Sequence, residues 1–498
     1  MIDFVSGTST YALSKVIGWL ILAIFLRIVS SMIHNAFISP LKAIPGPIIS
    51  SVSYLLIAIR RPKGRVFEWF YQMHRQYGNV VRVGPNLVLF SSKEAVRQIL
   101  YDNELPKPDT ISGIRTDPNI ATLFSATDRK FHKQRRSMIT PSFSIKFIAS
   151  LEPFMQSCIQ ALVKNLNTAT SPSNKTRFNE NGLPIVNIYQ LVQATTLDII
   201  GETAFGGSFN LIENGEHPLP GKVFQELRRR VLNHTFPYLK PFFKNDLWTD
   251  EFIQQIIRDR KELNAQGTRR EDILQTLLDA RDTKTNEGLS EFEIRDQTLE
   301  FLIAGSDTGS FTINMALIML LHHPEKLRNL RNELDSAFPA GSRQSPEHKT
   351  LKNLQYLNAV INEILRLFPV SIAGILRQAT DDIIIDGYHI PKGTNVSASI
   401  YQIHHSKEIW GVDAEEFVPE RWVKGDPVEL KKYIFSFGSG SRFCVGYNFA
   451  MMEMRLILAS LLLNFEFEMV ENQDLQIVHF ITPALITKKF DVGVRVRC

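Results

Sequence analysis

The sequence predicts a mainly α-helical chain with small β-sheets (α+β), in which one large domain stands behind an N-terminal membrane anchor. Three observations predict this class. An uncharged run from Val16 to Leu26 lies inside a mostly apolar stretch from Ala12 to Ile33. Most of the remaining chain carries apolar residues at helical spacing, and two short regions read as strand. Beyond the prolines that follow the apolar stretch, no segment reads as a linker and no internal repeat occurs. At ~150 residues per domain the chain could hold about three domains, but without linkers one large domain fits better. The expected division is an anchor over 1–33, a proline-rich hinge over 34–50 and a catalytic-size domain over 51–498.

Composition sets outer limits. Of the 498 residues 44% are apolar and 21% charged, which excludes a disordered or fibrous chain. The 33 phenylalanines imply bulky internal packing. Lys and Arg number 56 against 51 Asp and Glu, and the resulting +5 is too small over this length to indicate nucleic acid. Cys158, Cys444 and Cys498 form no Cys-x-x-Cys pair. A reducing compartment with one functional thiol fits them better than a disulfide scaffold.

Each element has its own signal. The 22 residues from Ala12 to Ile33, interrupted by Ser14, Lys15, Arg27, Ser30 and Ser31, reach the length of a membrane helix, which needs roughly 20 apolar residues. Arg27 can snorkel to the interface. A cleaved signal peptide and a buried core helix compete with this reading, but no small-x-small cleavage pattern follows. Lys42, Arg60, Arg61 and Lys63 lie downstream and only Asp3 and Lys15 upstream, so the positive-inside rule places the body in the cytosol. Pro40, Pro45 and Pro47 stop the helix and stiffen the link. Val80–Val83 and Leu87–Phe90 predict a hairpin across Gly84-Pro85-Asn86, and Ile383–Ile385 predicts a strand before the Asp386-Gly387 turn. Thr168 to Gly182 is polar and reads as a surface loop. Ser290 and Glu293 give a capping-box signature to a long helix that Pro324 stops; thirty-odd residues at ~1.5 Å each reach roughly 50 Å. A further helix carries Leu354, Leu357, Val360, Ile361, Ile364 and Leu365 and ends before Pro369.

Four groupings carry chemistry. In Phe437-Gly438-Ser439-Gly440-Ser441-Arg442-Phe443-Cys444-Val445-Gly446 the glycines let the backbone bend so that N–H groups converge on Cys444. Beside Arg442 and those donors the thiolate would be stabilised and its pKa lowered, making a good ligand for a soft or borderline metal. A lone cysteine cannot build a zinc or iron–sulfur site, whereas haem brings four nitrogens of its own. The alternative is a glycine-rich turn with an incidental buried cysteine. Glu363 and Arg366 are i, i+3 neighbours, either an exposed ion pair worth ~0.2–0.5 kcal/mol or part of something larger. In Ala304-Gly305-Ser306-Asp307-Thr308, Gly305 and Gly309 each cost about 0.8–1.0 kcal/mol relative to Ala in mid-helix. Either the helix loosens there, freeing the Thr308 hydroxyl with Asp307 behind it as a proton source, or the glycines admit a neighbouring helix. The basic run Arg129 to Arg136 reads as a solvated face at Lys130, Lys133 and Arg135.

Phe437-x-x-Gly440-x-Arg442-x-Cys444-x-Gly446 resembles the haem-binding loop of the cytochrome P-450 monooxygenases, in their membrane-anchored microsomal, fungal type. The resemblance implies the P-450 fold, with Cys444 thiolate as axial ligand to the iron of haem b, a ligation that favours O–O cleavage, and with Phe437 and Gly438 in the same haem-binding loop. Glu363, Arg366 and Arg421, the last within Pro419-Glu420-Arg421-Trp422, are similar to the family's buried charge network. The Ala304–Thr308 segment resembles its oxygen-activating helix, which makes Thr308 and Asp307 the proton-delivering pair. Arg136, Arg377 and Arg442 are the matching partners for haem propionates. His132 stands where the family has tryptophan and is a further candidate donor. His404 to Trp410 also fits a family pattern.

What the resemblance implies is an endoplasmic-reticulum membrane protein, single-pass, with its catalytic domain cytosolic. It would insert one oxygen atom from O2 into a hydrophobic small molecule, such as a steroid or terpenoid, typically by hydroxylation. NADPH would act only through a separate flavoprotein reductase, docking near Lys130, Lys133 and the Cys444 loop, with cytochrome b5 as a second electron donor. The length leaves no room for flavin domains, and no nucleic acid is expected. The pocket would draw on Leu105 to Thr122, Phe205 to Lys240 with Phe236, Ala304, Val370 to Leu376 with Ile372 and Ile375, and Phe480 to Pro483 with Ile481. The competing functions are a haem-thiolate isomerase or dehydratase that consumes no O2, and a membrane-tethered haem sensor. The sequons at Asn174, Asn233 and Asn395 would stay unused in the cytosol.

Overall fold

The computed structural model describes the chain apart from residues 1–3, 116, 171–176, 220, 223–224, 226–228, 230–247, 340–344, 481 and 498. Phe236, Ile481, Cys498 and the sequons at Asn174 and Asn233 therefore lie outside the described residues, as does the middle of the 168–182 stretch. In chain order the elements used below are helix α1 (Phe4–Ile33), strands β1 (Val80–Gly84) and β2 (Leu87–Phe90), helix α2 (Arg129–Ile139), strand β3 (Ile185–Asn187), and helices α3 (Ile188–Ile200), α4 (Glu291–His322) and α5 (Gln355–Leu367). Then follow β4 (Ile375–Gln378), β5 (Ile383–Ile385), β6 (Tyr388–Ile390), β7 (Asn395–Ala398), helix α6 (Tyr447–Asn464), β8 (Phe465–Met469), β9 (Ile477–His479), β10 (Pro483–Leu485) and β11 (Asp491–Val496). Helices dominate and the sheets are small, as the periodicity predicts.

Two compact units result. The first joins Met1–Leu105 to Ala373–Gln402. In it β1 and β2 form the expected hairpin, β2 runs parallel to β7, and β4 closes the sheet antiparallel to β7. Asp386 and Gly387 both take positive φ, 50° and 79°, the turn geometry that joins β5 to β6. Lys15–Ile38 is a 24-residue stretch long and apolar enough to cross a membrane. The proline-rich hinge is strapped to β1. The Arg82 N–H donates to Pro45 O at 2.8 Å, and its buried guanidinium donates to Asn35 O at 2.9 Å and Pro85 O at 2.7 Å.

The second unit joins Pro106–Ile372 to Ile403–Cys498. The Ser290–Glu293 capping box is present and α4 runs 32 residues, with buried residues on every side of it. Such a helix needs neighbours all round, and α4 packs on α3, α5 and α6. β3, β11 and β8 form an antiparallel sheet, and β9 pairs with β10.

Glu363 and Arg366 are fully buried, so the exposed-pair alternative fails. Arg366 donates to both Glu363 oxygens at 2.9 and 2.7 Å and to His404 O, Ala414 O and Glu416 O. Arg421 Nε and Trp422 Nε1 also donate to the Glu363 carboxylate, at 3.0 and 2.8 Å. His404 accepts from the Phe435 N–H at 2.9 Å through Nε2, with Nδ1 toward Arg366 O at 3.0 Å. The network thereby reaches the chain two residues before Phe437.

Arg135, expected on a solvated face, is buried and paired with Glu293, so α2 is tied to the start of α4. Lys130 and Lys133 are exposed as expected.

Candidate active site

Cys444 sits in a loop that the glycines permit. Gly438 and Gly440 adopt φ of +74° and +66°, which a side chain would strain. The Cys444 N–H donates to Phe437 O at 2.8 Å, and the rings of Phe437, Phe443 and Tyr447 pack around the turn. Gly446 is the N-cap of α6, which places the sulfur by a helix N-terminus where N–H groups lack partners. The Gly446 N–H acts on that sulfur, favouring its charged form.

Burial raises the Cys444 thiol above its ordinary pKa; the Gly446 N–H and the charges of Arg136 and Lys107 oppose the rise without cancelling it. The lowered pKa expected from the sequence is thereby corrected, because desolvation of the sulfur outweighs its donors. Protein atoms crowd the sulfur although the residue keeps accessible surface. The cation assignment changes too. Arg136 and Lys107 act on the sulfur, while Arg442 donates to Ala126 O at 2.8 Å and Thr127 O at 3.3 Å. Arg136, whose own pKa burial lowers, donates from Nη1 to Phe443 O. Residues 126–136 thus hold the loop on both sides of Cys444, and His132 is buried on the same helix α2.

Helix α4, which carries Asp307 and Thr308, packs on α6, the helix that follows the cysteine loop. Glu453, nine residues after Cys444 on α6, abuts Gly309 of α4. Thr308 Oγ1 donates to Ala304 O at 2.7 Å, and α4 continues without a break. The loosened helix is therefore not found: Gly305 faces Ile200 and Gly309 faces Glu453, so both glycines serve close packing. Ala304 is exposed, on the same face as Thr308 one turn later. Asp307 points elsewhere, accepting from Gln193 Nε2 at 3.0 Å and from Thr482 Oγ1 at 3.2 Å. Burial raises its pKa, opposed by these two donors and the Lys488 charge. One turn before Ala304, Glu300 accepts from the Phe124 N–H at 3.0 Å, and Gln297 from the Leu123 N–H at 2.9 Å. This fastens to α4 the two residues that follow the expected pocket segment Leu105 to Thr122.

Arg377 belongs to the first unit, where it is buried and donates from Nη1 to Leu376 O at 2.9 Å. Lys107, Gln193, Glu453 and Thr482 were not legible in the sequence as parts of this site, since no local motif marks them.

A family model described as Cytochrome P450 matches residues 44–492. Cytochrome P450 monooxygenase LUC2 from a Fusarium species is 31% identical, over 99% of this chain and 96% of its own length. Cytochrome P450 monooxygenase acrD from Aspergillus aculeatus is 33% identical, over 95% and 93%. Benzoate 4-monooxygenase bphA from Aspergillus niger is 30% identical, over 86% and 88%.

Proposed function

The chain belongs to the cytochrome P450 family and is a monooxygenase of that family, and on this premise we propose that it hydroxylates a hydrophobic small molecule at the endoplasmic-reticulum membrane. The family implies haem with a cysteine-ligated iron. The residues fit that group: Cys444 keeps accessible surface, one N–H and two cations act on its sulfur, and no cluster of three His, Cys, Asp or Glu among the described residues competes as a metal site. The observation that carries the reading is a Cys444 sulfur on which the Gly446 N–H and two cations act, in a loop clasped by α2. A donor there tunes the electron density of a ligating sulfur.

Bound haem supplies the redox iron at which O2 is activated. Cys444 would provide the ligating sulfur, and Arg136, Arg442, His132, Phe437 and Gly438 are the residues that would hold the rest of the group. Arginine's paired N–H groups suit the propionates. Thr308 would supply a hydroxyl and Asp307 a buried carboxyl for proton delivery to oxygen activated there. Electrons come from NADPH through a flavoprotein reductase, with cytochrome b5 as auxiliary donor; exposed Lys130 and Lys133 support docking on that face. The apolar 15–38 stretch supports a single-pass anchor with the rest of the chain cytosolic.

A steroid or terpenoid is the favoured substrate class. The test uses haem-loaded full-length protein with reductase and NADPH under 18O2, offered a steroid, a terpenoid and benzoate. One labelled oxygen atom per product molecule, with turnover dependent on NADPH, is expected. Turnover without NADPH and without label would replace this reading by an isomerase or dehydratase.

A further inference from the structure

Asp307 is gripped at both carboxyl oxygens by uncharged side chains from two other elements. Gln193 of α3 donates to Oδ1 at 3.0 Å, and Thr482, in the turn between β9 and β10, donates to Oδ2 at 3.2 Å. Successive helix residues project about 100° apart, so the carboxyl does not share the face of Ala304 and Thr308. Its position is set from outside α4. Gln193 itself is steadied where Thr196 of the same helix donates to Ser306 O at 3.0 Å, which pins α3 to α4 beside the acid.

The chemistry of the grip matters as much as its geometry. An arginine or lysine in place of Gln193 would fix Asp307 as a permanent carboxylate in a buried ion pair. An amide and a hydroxyl instead orient the group while leaving it able to take up and release a proton, and burial favours the protonated form. The Lys488 charge also acts on it.

We propose that Gln193 and Thr482 are positioning residues for the Asp307 carboxyl, holding it in the one orientation that these two hydrogen bonds define, on which its proton-supplying role depends. This rests on the role given to Asp307 under the proposed function. When protons arrive late, O2 leaves as hydrogen peroxide after two electrons and two protons. Full delivery takes four electrons and four protons and yields two waters, so peroxide per NADPH reports the relay without a known substrate.

The experiment compares Gln193→Met, Thr482→Val, Thr482→Ser and Asp307→Asn in haem-loaded full-length protein with a flavoprotein reductase, without added substrate. Two quantities are read: peroxide per NADPH, and the infrared band of the Asp307 carboxyl, assigned by its loss in Asp307→Asn. The proposal expects Gln193→Met and Thr482→Val each to raise peroxide at least twofold and to shift that band, with Thr482→Ser returning both to the parent value. If Asp307→Asn leaves peroxide unchanged, the acid role of Asp307 itself fails. If Asp307→Asn raises peroxide while Gln193→Met and Thr482→Val leave either quantity at the parent value, the positioning role is overturned. Should Gln193→Met not fold, the Thr482 pair decides alone.

Discussion

A side chain at Gly309 would place its first carbon 2.3 Å from Oε2 of Glu453, so the carboxyl of one helix occupies the space that glycine leaves in the other. Glu453 is buried, and burial pushes its pKa well above the ordinary carboxylate value. The helix that follows the cysteine loop and the helix that carries Thr308 approach through this contact. Gly305 makes the looser version, since a carbon there would meet the Ile200 Cδ1 terminus at 2.8 Å.

The two glycines therefore differ in what substitution does. Alanine gains about 1 kcal/mol of helix propensity at either site, and overpacking costs typically ~1–3 kcal/mol. At Gly305 the flexible end of Ile200 can yield, and Gly305→Ala should leave stability within about 1 kcal/mol of the parent. At Gly309 the opposing carboxyl is enclosed, and Gly309→Ala should destabilise by about 1–2 kcal/mol net. Urea unfolding of both variants checks the order. Equal midpoints would mean that the Glu453 contact does not limit helix approach.

The Glu363 carboxylate makes a heavier prediction. It accepts from Arg366, Arg421, Trp422 and the Val418 N–H. Removing one partner of a buried pair typically costs ~3–5 kcal/mol because the other charge stays buried and uncompensated. Glu363→Gln should therefore lose most soluble, haem-loaded protein. Parent-level yield and unfolding midpoint would show that the network contributes little.

Acid sensitivity is expected from His74, whose Nδ1 faces Gly78 O at 2.9 Å and whose Nε2 faces Ser399 Oγ at 2.8 Å. Burial lowers its pKa from 6.5 to about 4. The unfolded chain thus binds the proton first as pH falls. The stabilisation is complete above pH 6.5 and is lost between 6.5 and about 4, up to about 3 kcal/mol at 1.36 kcal/mol per pKa unit. Unfolding midpoints at pH 7 and 4.5 should converge in His74→Gln relative to the parent. An undiminished acid loss in the variant would place the effect on other groups.

Thr308 should govern the fate of electrons. Thr308→Ala removes the hydroxyl that donates to Ala304 O but leaves Cys444 untouched. Haem content should stay at the parent level while peroxide per NADPH rises severalfold. Parent-level peroxide would remove Thr308 from proton delivery.

Local signals made much of this legible. The cysteine loop lies within ten residues, and the long helix announces itself by its capping box, its periodicity and Pro324. The hairpins at Gly84–Asn86 and Asp386-Gly387 carry their turn residues in sequence. Long-range pairing was not legible. β7 joins β2 across some three hundred residues, and Asp307 meets Gln193 and Thr482 across 114 and 175. Arg135 is buried where a solvated face is expected because its partner, Glu293, lies 158 residues away. The alternation Phe465-Glu466-Phe467-Glu468 was a readable strand signal for β8. The Cys444 pKa is set by burial, a property of the assembled fold, so donors counted along the loop gave the wrong sign.

The most direct test of the central claim is the carbon monoxide difference spectrum of the dithionite-reduced full-length protein beside Cys444→Ala. The parent should show the strongly red-shifted Soret band of thiolate-ligated haem, and the variant should lose it. An unshifted band in well-folded, haem-containing parent protein, or the same band in both, would contradict ligation by Cys444.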